Sequence, residues 1–205
     1  MRAAPARAER RPYRMGARAE AAERTAQRIF AAAEALFRGQ SFEEVTLQAI
    51  ADHAGVTLQT VLRRFGSKEA LFEAASRSAA QRIFASRLPE SSDHRSAVEA
   101  LIASYEEMGD LGWRGLVQEE RFPPVKSIMD DARARHRGWV ETVFADLLGV
   151  RRGPERERRV MLLFGATDYY LWKLWRRDLG KSRAETTQRM MDLVDALARQ
   201  LERGR

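Results

Sequence analysis

An amide, a hydroxyl and two guanidinium groups stand within one short segment of the sequence. They belong to Gln59, Thr60, Arg63 and Arg64. At about 100° per residue of an α-helix, these four lie opposite an apolar stripe. The stripe consists of Leu58, Val61, Leu62 and Phe65. In the major groove an arginine bridges guanine O6 and N7, and a glutamine pairs with adenine N6 and N7. The spacing therefore predicts a helix that packs on its apolar side and contacts DNA on the other.

A second short helix is predicted directly before this one. Its apolar residues recur at i, i+3, i+4 and i+7, namely Leu47, Ile50, Ala51 and Ala54. Gly55 suits the helix end, while Thr46 and Thr57 suit the two helix starts. Ser67 and Lys68 follow as a cap and a cation that suit a DNA phosphate. Two helices joined in this way indicate a helix-turn-helix, although in an isolated helix such polar residues would simply cover a solvated face.

The whole segment resembles the DNA-binding domain of the TetR/AcrR transcriptional regulators. The residues that match the family's pattern are Thr46, Ile50, Ala51, Ala54, Gly55, Val56, Thr57, Thr60, Val61, Phe65, Ser67, Lys68, Glu69 and Leu71. Three positions depart from it, since Gln59 replaces a glycine, Leu62 a tyrosine and Arg64 a histidine or tyrosine. The family's tyrosine commonly binds a phosphate, which a leucine cannot do. We therefore expect an unusual operator sequence rather than a loss of DNA binding.

The resemblance and the helical composition together imply the organisation of the chain. The fold is expected to be all-α, with a three-helix DNA-binding domain at residues 22–71 and a helical effector-binding and dimerisation domain at 72–205. Residues 1–21 are expected to form a flexible arginine-rich arm. The implied function is a regulator, most often a repressor, that binds a palindromic operator as a homodimer and is released by a small molecule. The DNA-binding residues are then Thr46, Thr57, Gln59, Thr60, Arg63, Arg64 and Lys68.

Charge and composition indicate which other classes of function are possible. The formal net charge is +7, but residues 1–24 hold seven arginines against three glutamates (7 − 3 = +4), whereas residues 25–71 hold five cations and five anions. The arm thus supports a second hypothesis, a non-specific nucleic-acid-binding or scaffold protein. The chain lacks cysteine, and its three histidines lack the spacing of a metal site. We expect no cofactor, no membrane span and a cytoplasmic location, and an enzyme is the weakest alternative because no nucleophile–base pair is evident.

The C-terminal part is predicted to contain helices at about 94–109, 111–120, 124–148, 154–178 and 183–203. The segment 160–175 is apolar almost all round, so protein should bury it on more than one side. We expect the last two helices to pair with their symmetry copies in a four-helix dimer interface. The last helix offers the apolar residues Met190, Met191, Val194, Leu197 and Leu201.

Aromatic and methionine side chains of this domain are candidates for an effector chamber, because they provide large and adaptable apolar contact. The candidates are Tyr105, Met108, Trp113, Phe122, Met129, Trp139, Phe164, Asp168 and Trp172. Each of them could instead belong to the ordinary core. Asp168 lies in an apolar stretch, where a carboxylate needs a partner. That partner is either a cationic ligand or, as we expect, a structural arginine.

Overall fold

The computed structural model describes residues 10–87, 93–150 and 152–203, and every regular element in these ranges is helical. The all-α prediction is therefore confirmed. The chain divides between Ala75 and Ser76 into two compact units. The first contains the helix-turn-helix segment, and the second contains the segments rich in tryptophan and tyrosine.

The N-terminal unit begins with a long helix, α1, over Arg10–Gly39. It starts well before Ala21, so residues 10–21 of the predicted arm are helical in the structure. The cause is local, because alanine, arginine and glutamate favour the helix and the pair Arg24–Glu20 adds an i,i+4 contact of 3.8 Å. Residues 1–9 of the predicted arm lie outside the described residues. Two short helices follow, α2 over Leu47–Ala54 and α3 over Leu58–Phe65.

A small apolar core holds these three helices together. Its fully buried side chains include Ile29 of α1, Ile50 of α2 and Val61 of α3. The next helix, α4, runs over Lys68–Ala85 and contains the boundary between the two units. Its Phe72 packs edge-on against Phe37, with ring centroids 4.7 Å apart. The first turns of α4 thereby complete the core of the N-terminal unit.

The C-terminal unit continues with seven more helices in the described ranges. A π-helical turn, Leu174–Asp178, extends the sixth of them. The helices are α5 (His94–Met108), α6 (Asp110–Gln118), α7 (Pro123–Val143), α8 (Ala145–Leu148), α9 (Gly153–Ala166), α10 (Tyr169–Lys173) and α11 (Arg183–Arg203). The bounds of α11 agree with the predicted 183–203. Its capping box is formed as the sequence indicates, since the Glu185 N–H donates to the Ser182 hydroxyl and the Ser182 N–H donates to the Glu185 carboxylate.

Two predicted helices are broken in the structure. The one expected over 124–148 ends at Val143, and the one expected over 154–178 ends at Ala166. At the second break Thr167 turns its hydroxyl back to the Leu163 carbonyl (2.7 Å), and Asp168 adopts an extended conformation as the N-cap of α10. Such side-chain bonds to the backbone compete with helix continuation. The apolar periodicity continues across the break, so the sequence pattern does not indicate that the helix ends there.

The apolar residues of α11 pack within their own protomer, so a dimer interface at the last two helices would use other side chains. Met190, Met191, Val194 and Leu201 are buried in the core of their own protomer, and Leu197 is partly buried against it. A buried arginine closes the same core. Arg159 is 2% exposed, and its terminal nitrogens donate to the carbonyls of Leu147 (2.9 Å) and Leu201 (3.0 Å). It thereby joins the last turns of α8 and α11.

Candidate DNA interface and effector region

The turn between α2 and α3 is fixed by a glycine and two threonines. Gly55 ends α2 with a φ of 63°, a conformation that favours glycine, and the N–H of Val56 donates to the Ala51 carbonyl. The hydroxyls of Thr46 and Thr57 accept from the backbone N–H groups of Ala49 and Thr60. Both threonines therefore act as N-caps, and they stabilise the first turns of α2 and α3.

The outward face of α3 carries two polar side chains with no internal partner. Gln59 and Arg63 are exposed, and within the described residues neither side chain makes a hydrogen bond or an ion pair. Thr60 is half-buried, and its hydroxyl lies 2.9 Å from the hydroxyl of Thr57. The amide and the guanidinium are therefore available to a ligand outside the protein.

Leu62 shares this outward face, which corrects the prediction that it packs inward. Its side chain is 36% exposed, whereas Val61 beside it is fully buried. Residues at i, i+3 and i+4 lie on one side of a helix, so Gln59, Leu62 and Arg63 form one surface. We call these three residues the reading face of α3. It combines a hydrogen-bonding amide, a guanidinium and an apolar side chain.

Arg64 and Lys68 are engaged within the N-terminal unit. The Arg64 guanidinium lies 3.8 Å from the carboxylate of Glu23 in α1. The Lys68 ammonium donates to the carbonyls of Phe42 (2.9 Å) and Val45 (3.1 Å) and lies over the Phe42 ring. It also contacts the carbonyl of Glu43, so its three donors already have acceptors. We therefore assign Lys68 to holding the loop before α2 rather than to a phosphate.

Three of the candidate effector residues use their polar atoms inside the C-terminal core. The Tyr105 hydroxyl donates to the Thr167 carbonyl (2.8 Å), and the Trp139 indole donates to the Arg87 carbonyl (3.2 Å). The Trp172 indole donates to the Glu106 carboxylate (2.8 Å). All three aromatic side chains are buried. Their assignment to an effector chamber stays a prediction.

Four other candidates lie around α6 and the start of α7. Met108 and Met129 lie so close to Gly112 and Gly115 that a Cβ atom at either glycine would be within 3.2 Å of a methionine sulfur. The Trp113 ring lies 4.0 Å from the Lys173 ammonium. Phe122 directly precedes α7 and is half-buried. Met108 and Trp113 pack against the edge of the core cluster that contains Tyr105 and Trp139.

Asp168 and Phe164 flank the break between α9 and α10. The Asp168 carboxylate is half-buried and accepts from the Tyr170 N–H (2.8 Å), and no arginine of the described residues pairs with it. The expected structural arginine is therefore not in direct contact with Asp168. Burial raises the pKa of Asp168, while the Tyr170 N–H and the more distant charges of Arg133 and Arg87 oppose that rise. Phe164 packs edge-on against the ring of His136, with ring centroids 4.7 Å apart.

Sequence reasoning missed two buried polar residues in this region. Arg87 is 3% exposed and His136 is 5% exposed. His136 could have been found from its spacing, because it precedes Trp139 and Val140 by three and four residues on the buried face of α7. Arg87 follows the end of α4 and gives no periodic signal. A separate surface cavity of about 530 Å³ lies between α5 and α11, and none of the nine predicted effector residues lines it.

The described part of the chain contains no cluster of three or more histidine, cysteine or acidic side chains that could hold a metal ion. None of its helices is both long and apolar enough to cross a membrane.

Comparison with known proteins gives matches to a segment of the N-terminal unit and to the fold of the whole chain. Residues 29–75 match the family model described as bacterial regulatory proteins of the tetR family. No curated protein matches the chain. Solved structures do match it, and among them is a TetR-family transcriptional regulator from Streptomyces coelicolor with a TM-score of 0.67, 19% identity, and coverage of 87% of this chain and 88% of that chain.

Two further structures have the same fold. NalD of Pseudomonas aeruginosa, described as the secondary repressor of the MexAB-OprM multidrug efflux pump, has a TM-score of 0.58 and 18% identity, with 87% of this chain and 96% of that chain covered. A protein from Saccharomonospora viridis in complex with choline has a TM-score of 0.59 and 17% identity, with 86% and 96% covered. Residues 29–75 are therefore similar to the tetR family of bacterial regulatory proteins, and the chain has the fold of TetR-family transcriptional regulators.

Proposed function

We propose that this protein is a sequence-specific transcriptional repressor that binds a palindromic operator as a homodimer and is released by a small molecule. The observation that carries the proposal is the reading face of α3. Gln59 and Arg63 are exposed and have no partner in the described part of the chain, on a helix that is capped at its start. A rigid helix with free amide and guanidinium groups is suited to reading base edges in the major groove.

Leu62 adds an apolar element to this surface. Where related proteins carry a tyrosine that binds phosphate, an exposed leucine can contact the 5-methyl group of thymine. Gln59, Leu62 and Arg63 would then favour adenine, thymine and guanine respectively, at neighbouring positions of each half-site. Arg64, whose guanidinium lies 3.8 Å from the Glu23 carboxylate, and the N-cap hydroxyls of Thr46 and Thr57 lie at the edges of the same helices, where they would also contact the phosphate backbone.

The homodimer is proposed to form through α9 and α11. Each of these helices keeps one large apolar side chain exposed, Met161 at 44% and Leu193 at 40%. Gly165 is exposed one turn after Met161, and a small residue there permits close helix approach. Two copies of a short reading helix related by a two-fold axis would read an inverted repeat.

Repression and release by a small molecule are the remaining parts of the proposal. NalD is a repressor, and the Saccharomonospora viridis protein binds choline, so this fold serves both activities in those proteins. In the protein described here, an effector would act by binding one conformation of the dimer more tightly than the operator-bound conformation. We further propose that the chain has no catalytic activity of its own.

Selection of binding sites from random double-stranded DNA at fixed salt tests the proposal. We expect an inverted repeat to be enriched by the full-length protein. Gln59→Ala and Arg63→Ala should each relax the preference at one position per half-site, whereas the exposed Arg199→Ala on α11 should not. Enrichment of no palindrome, together with affinity that depends steeply on salt, would favour the non-specific hypothesis instead.

The dimer is tested separately with Met161→Glu combined with Leu193→Glu. Wild-type protein at micromolar concentration should sediment as a dimer, and the double variant should sediment as a monomer because two charges would be buried without partners. A monomeric wild type would contradict this part of the proposal.

A further inference from the structure

Arg87 is a buried cation that makes no direct ion pair within the described residues. It lies two residues beyond the end of α4, is 3% exposed, and donates from Nε to the hydroxyl of Ser104 (2.8 Å). Its guanidinium lies against the rings of Phe84 (4.1 Å) and Tyr105 (4.9 Å). The described residues supply no acceptor to its terminal nitrogens. Burying a charge in this way is costly unless a partner of opposite charge is present.

His136 presents an unused acceptor in the same region. Its Nε2 lies 3.2 Å from the Thr167 hydroxyl, and that hydroxyl donates to the Leu163 carbonyl (2.7 Å). The hydrogen on Nε2 therefore points to Thr167, and the buried Nδ1 is left without a partner. Burial, and then the positive charge of Arg87, lower the pKa of His136 to about 3. The imidazole is consequently neutral, and Nδ1 can accept a hydrogen bond.

These two residues belong to one connected arrangement. Trp139 stacks on His136, with ring centroids 5.5 Å apart, and its indole donates to the Arg87 carbonyl. Tyr105 lies under the Arg87 guanidinium and donates to the Thr167 carbonyl. We call Arg87, Tyr105, His136, Trp139 and Thr167 the polar cage. It brings a cation, a neutral acceptor and two aromatic rings together in the core of the C-terminal unit.

Asp168 is not in direct contact with the cation of this cage. Its carboxylate accepts from the Tyr170 N–H, and it acts on Arg87 only through its charge. Arg133, which also acts on Asp168, is itself paired with Glu119 and Asp130, so Arg87 is the cation here that no direct ion pair of the described residues neutralises. An additional anion is therefore compatible with the charges around the cage.

We propose that the polar cage binds a small aromatic carboxylate. The carboxylate would bind to the Arg87 fork, a geometry in which two parallel N–H donors match two oxygens. The ring of the ligand would pack against Tyr105 and Trp139, and a hydroxyl on that ring would donate to Nδ1 of His136. The proposal rests on the function proposed above, because this ligand would be the effector that releases the operator.

Isothermal titration of the full-length protein without DNA tests the cage directly. The probes are benzoate, 3-hydroxybenzoate and the neutral benzamide at matched ionic strength. We expect both carboxylates to bind about tenfold or more tightly than benzamide, because a charge-assisted hydrogen bond is lost with the amide. Arg87→Gln should weaken the binding of benzoate by a similar factor. The variant Arg199→Gln, at an exposed position, should bind benzoate as the wild type does. His136→Phe should remove any advantage of 3-hydroxybenzoate over benzoate.

Arg87→Gln could fail to fold, so a second measurement uses the wild type alone. The indole N–H resonance of Trp139, assigned with Trp139→Phe, should shift during titration with benzoate and not with benzamide. The proposal is overturned by three results: no binding of either carboxylate, equal binding of benzoate and benzamide, or full benzoate affinity in a folded Arg87→Gln.

Operator affinity, measured with and without benzoate, separates this proposal from the proposed function. Loss of operator affinity on adding benzoate supports the effector assignment. Benzoate binding that leaves operator affinity unchanged overturns that assignment. Failure to bind any operator in the absence of benzoate would instead contradict the proposed function. The titration without DNA would still test whether the polar cage binds a carboxylate.

Discussion

The reading face of α3 and the polar cage both depend on an arginine, in opposite environments. Arg63 is exposed and solvated, so its charge carries little desolvation cost in the folded protein, and its side chain is available to a partner outside the protein. Arg87 is 3% exposed, and the cost of its desolvation is opposed by the Ser104 hydroxyl, by two aromatic rings and by the charge of Asp168. Burial lowers the pKa of Arg87. Under the two proposals, DNA specificity would change by surface substitution, whereas effector specificity would be coupled to the stability of the core.

The largest effect is expected from Arg159→Met in the buried region. Methionine has a similar length but no donor, so the carbonyls of Leu147 and Leu201 would lose their partners. Leaving a buried acceptor unsatisfied costs about 1–3 kcal/mol, and we expect the free energy of unfolding to fall by roughly 3 kcal/mol in total. Urea denaturation followed by circular dichroism measures this change.

Arg158→Met is the matched control, because Arg158 is the adjacent residue and is exposed. It should unfold close to the wild type. Equal stability of Arg159→Met and Arg158→Met would show that the buried bonds of Arg159 do not stabilise the core.

The next effect is a pH dependence of stability caused by His136. Its pKa of about 3 in the folded protein is below the ordinary value of 6.5, so between these values the unfolded state binds a proton that the folded state does not. Stability should therefore fall as the pH falls from 6.5 towards 3, by up to about 1.4 kcal/mol per pH unit. His136→Gln should remove this contribution, as measured by urea denaturation at pH 7, 6 and 5.

The exposed His53→Gln on α2 serves as the control, since solvent surrounds this side chain in both states. It should retain the pH dependence of the wild type. A His136→Gln variant with that same dependence would contradict the neutral, buried imidazole on which the cage depends.

A smaller effect should appear on DNA without any change in stability. If Leu62 contacts a thymine methyl group, replacing that thymine with uracil in the selected operator should cost about 0.8 kcal/mol of binding free energy. Leu62→Ala should bind both DNAs equally, and its free energy of unfolding should stay near the wild-type value. Fluorescence anisotropy with the two DNAs provides the measurement. Discrimination that survives in Leu62→Ala would assign the methyl contact to another residue.

The sequence predicted the N-terminal helices better than the C-terminal site, and the reason is physical. Caps such as Thr46 and Thr57 and the glycine at position 55 act within a few residues, so their signals are local. The outward position of Leu62 was missed because a helical wheel places it at the edge of the apolar stripe. The contacts of Lys68 were missed because its acceptors lie more than twenty residues earlier in the chain.

The C-terminal site depends on contacts that periodicity does not encode. The apolar pattern of residues 160–175 predicts burial correctly but not the break at Thr167 and Asp168, which local side-chain bonds create. The cage joins Arg87 to Ser104 and Trp139, which are 17 and 52 residues away. Selecting aromatic residues from the sequence therefore identified Tyr105 and Trp139. It did not identify Arg87 and His136, the two polar residues of the proposed site.

The central claim is that the reading face of α3 recognises a DNA sequence. The most direct test is the ratio of affinities for the selected operator and for a scrambled DNA of the same composition, measured at one salt concentration for the wild type and Arg63→Ala. We expect a wild-type ratio of about 10³ or more. Arg63→Ala should lower it by about 5- to 150-fold for each half-site, with unchanged affinity for the scrambled DNA. A wild-type ratio near one, or an Arg63→Ala ratio equal to that of the wild type, would contradict the claim.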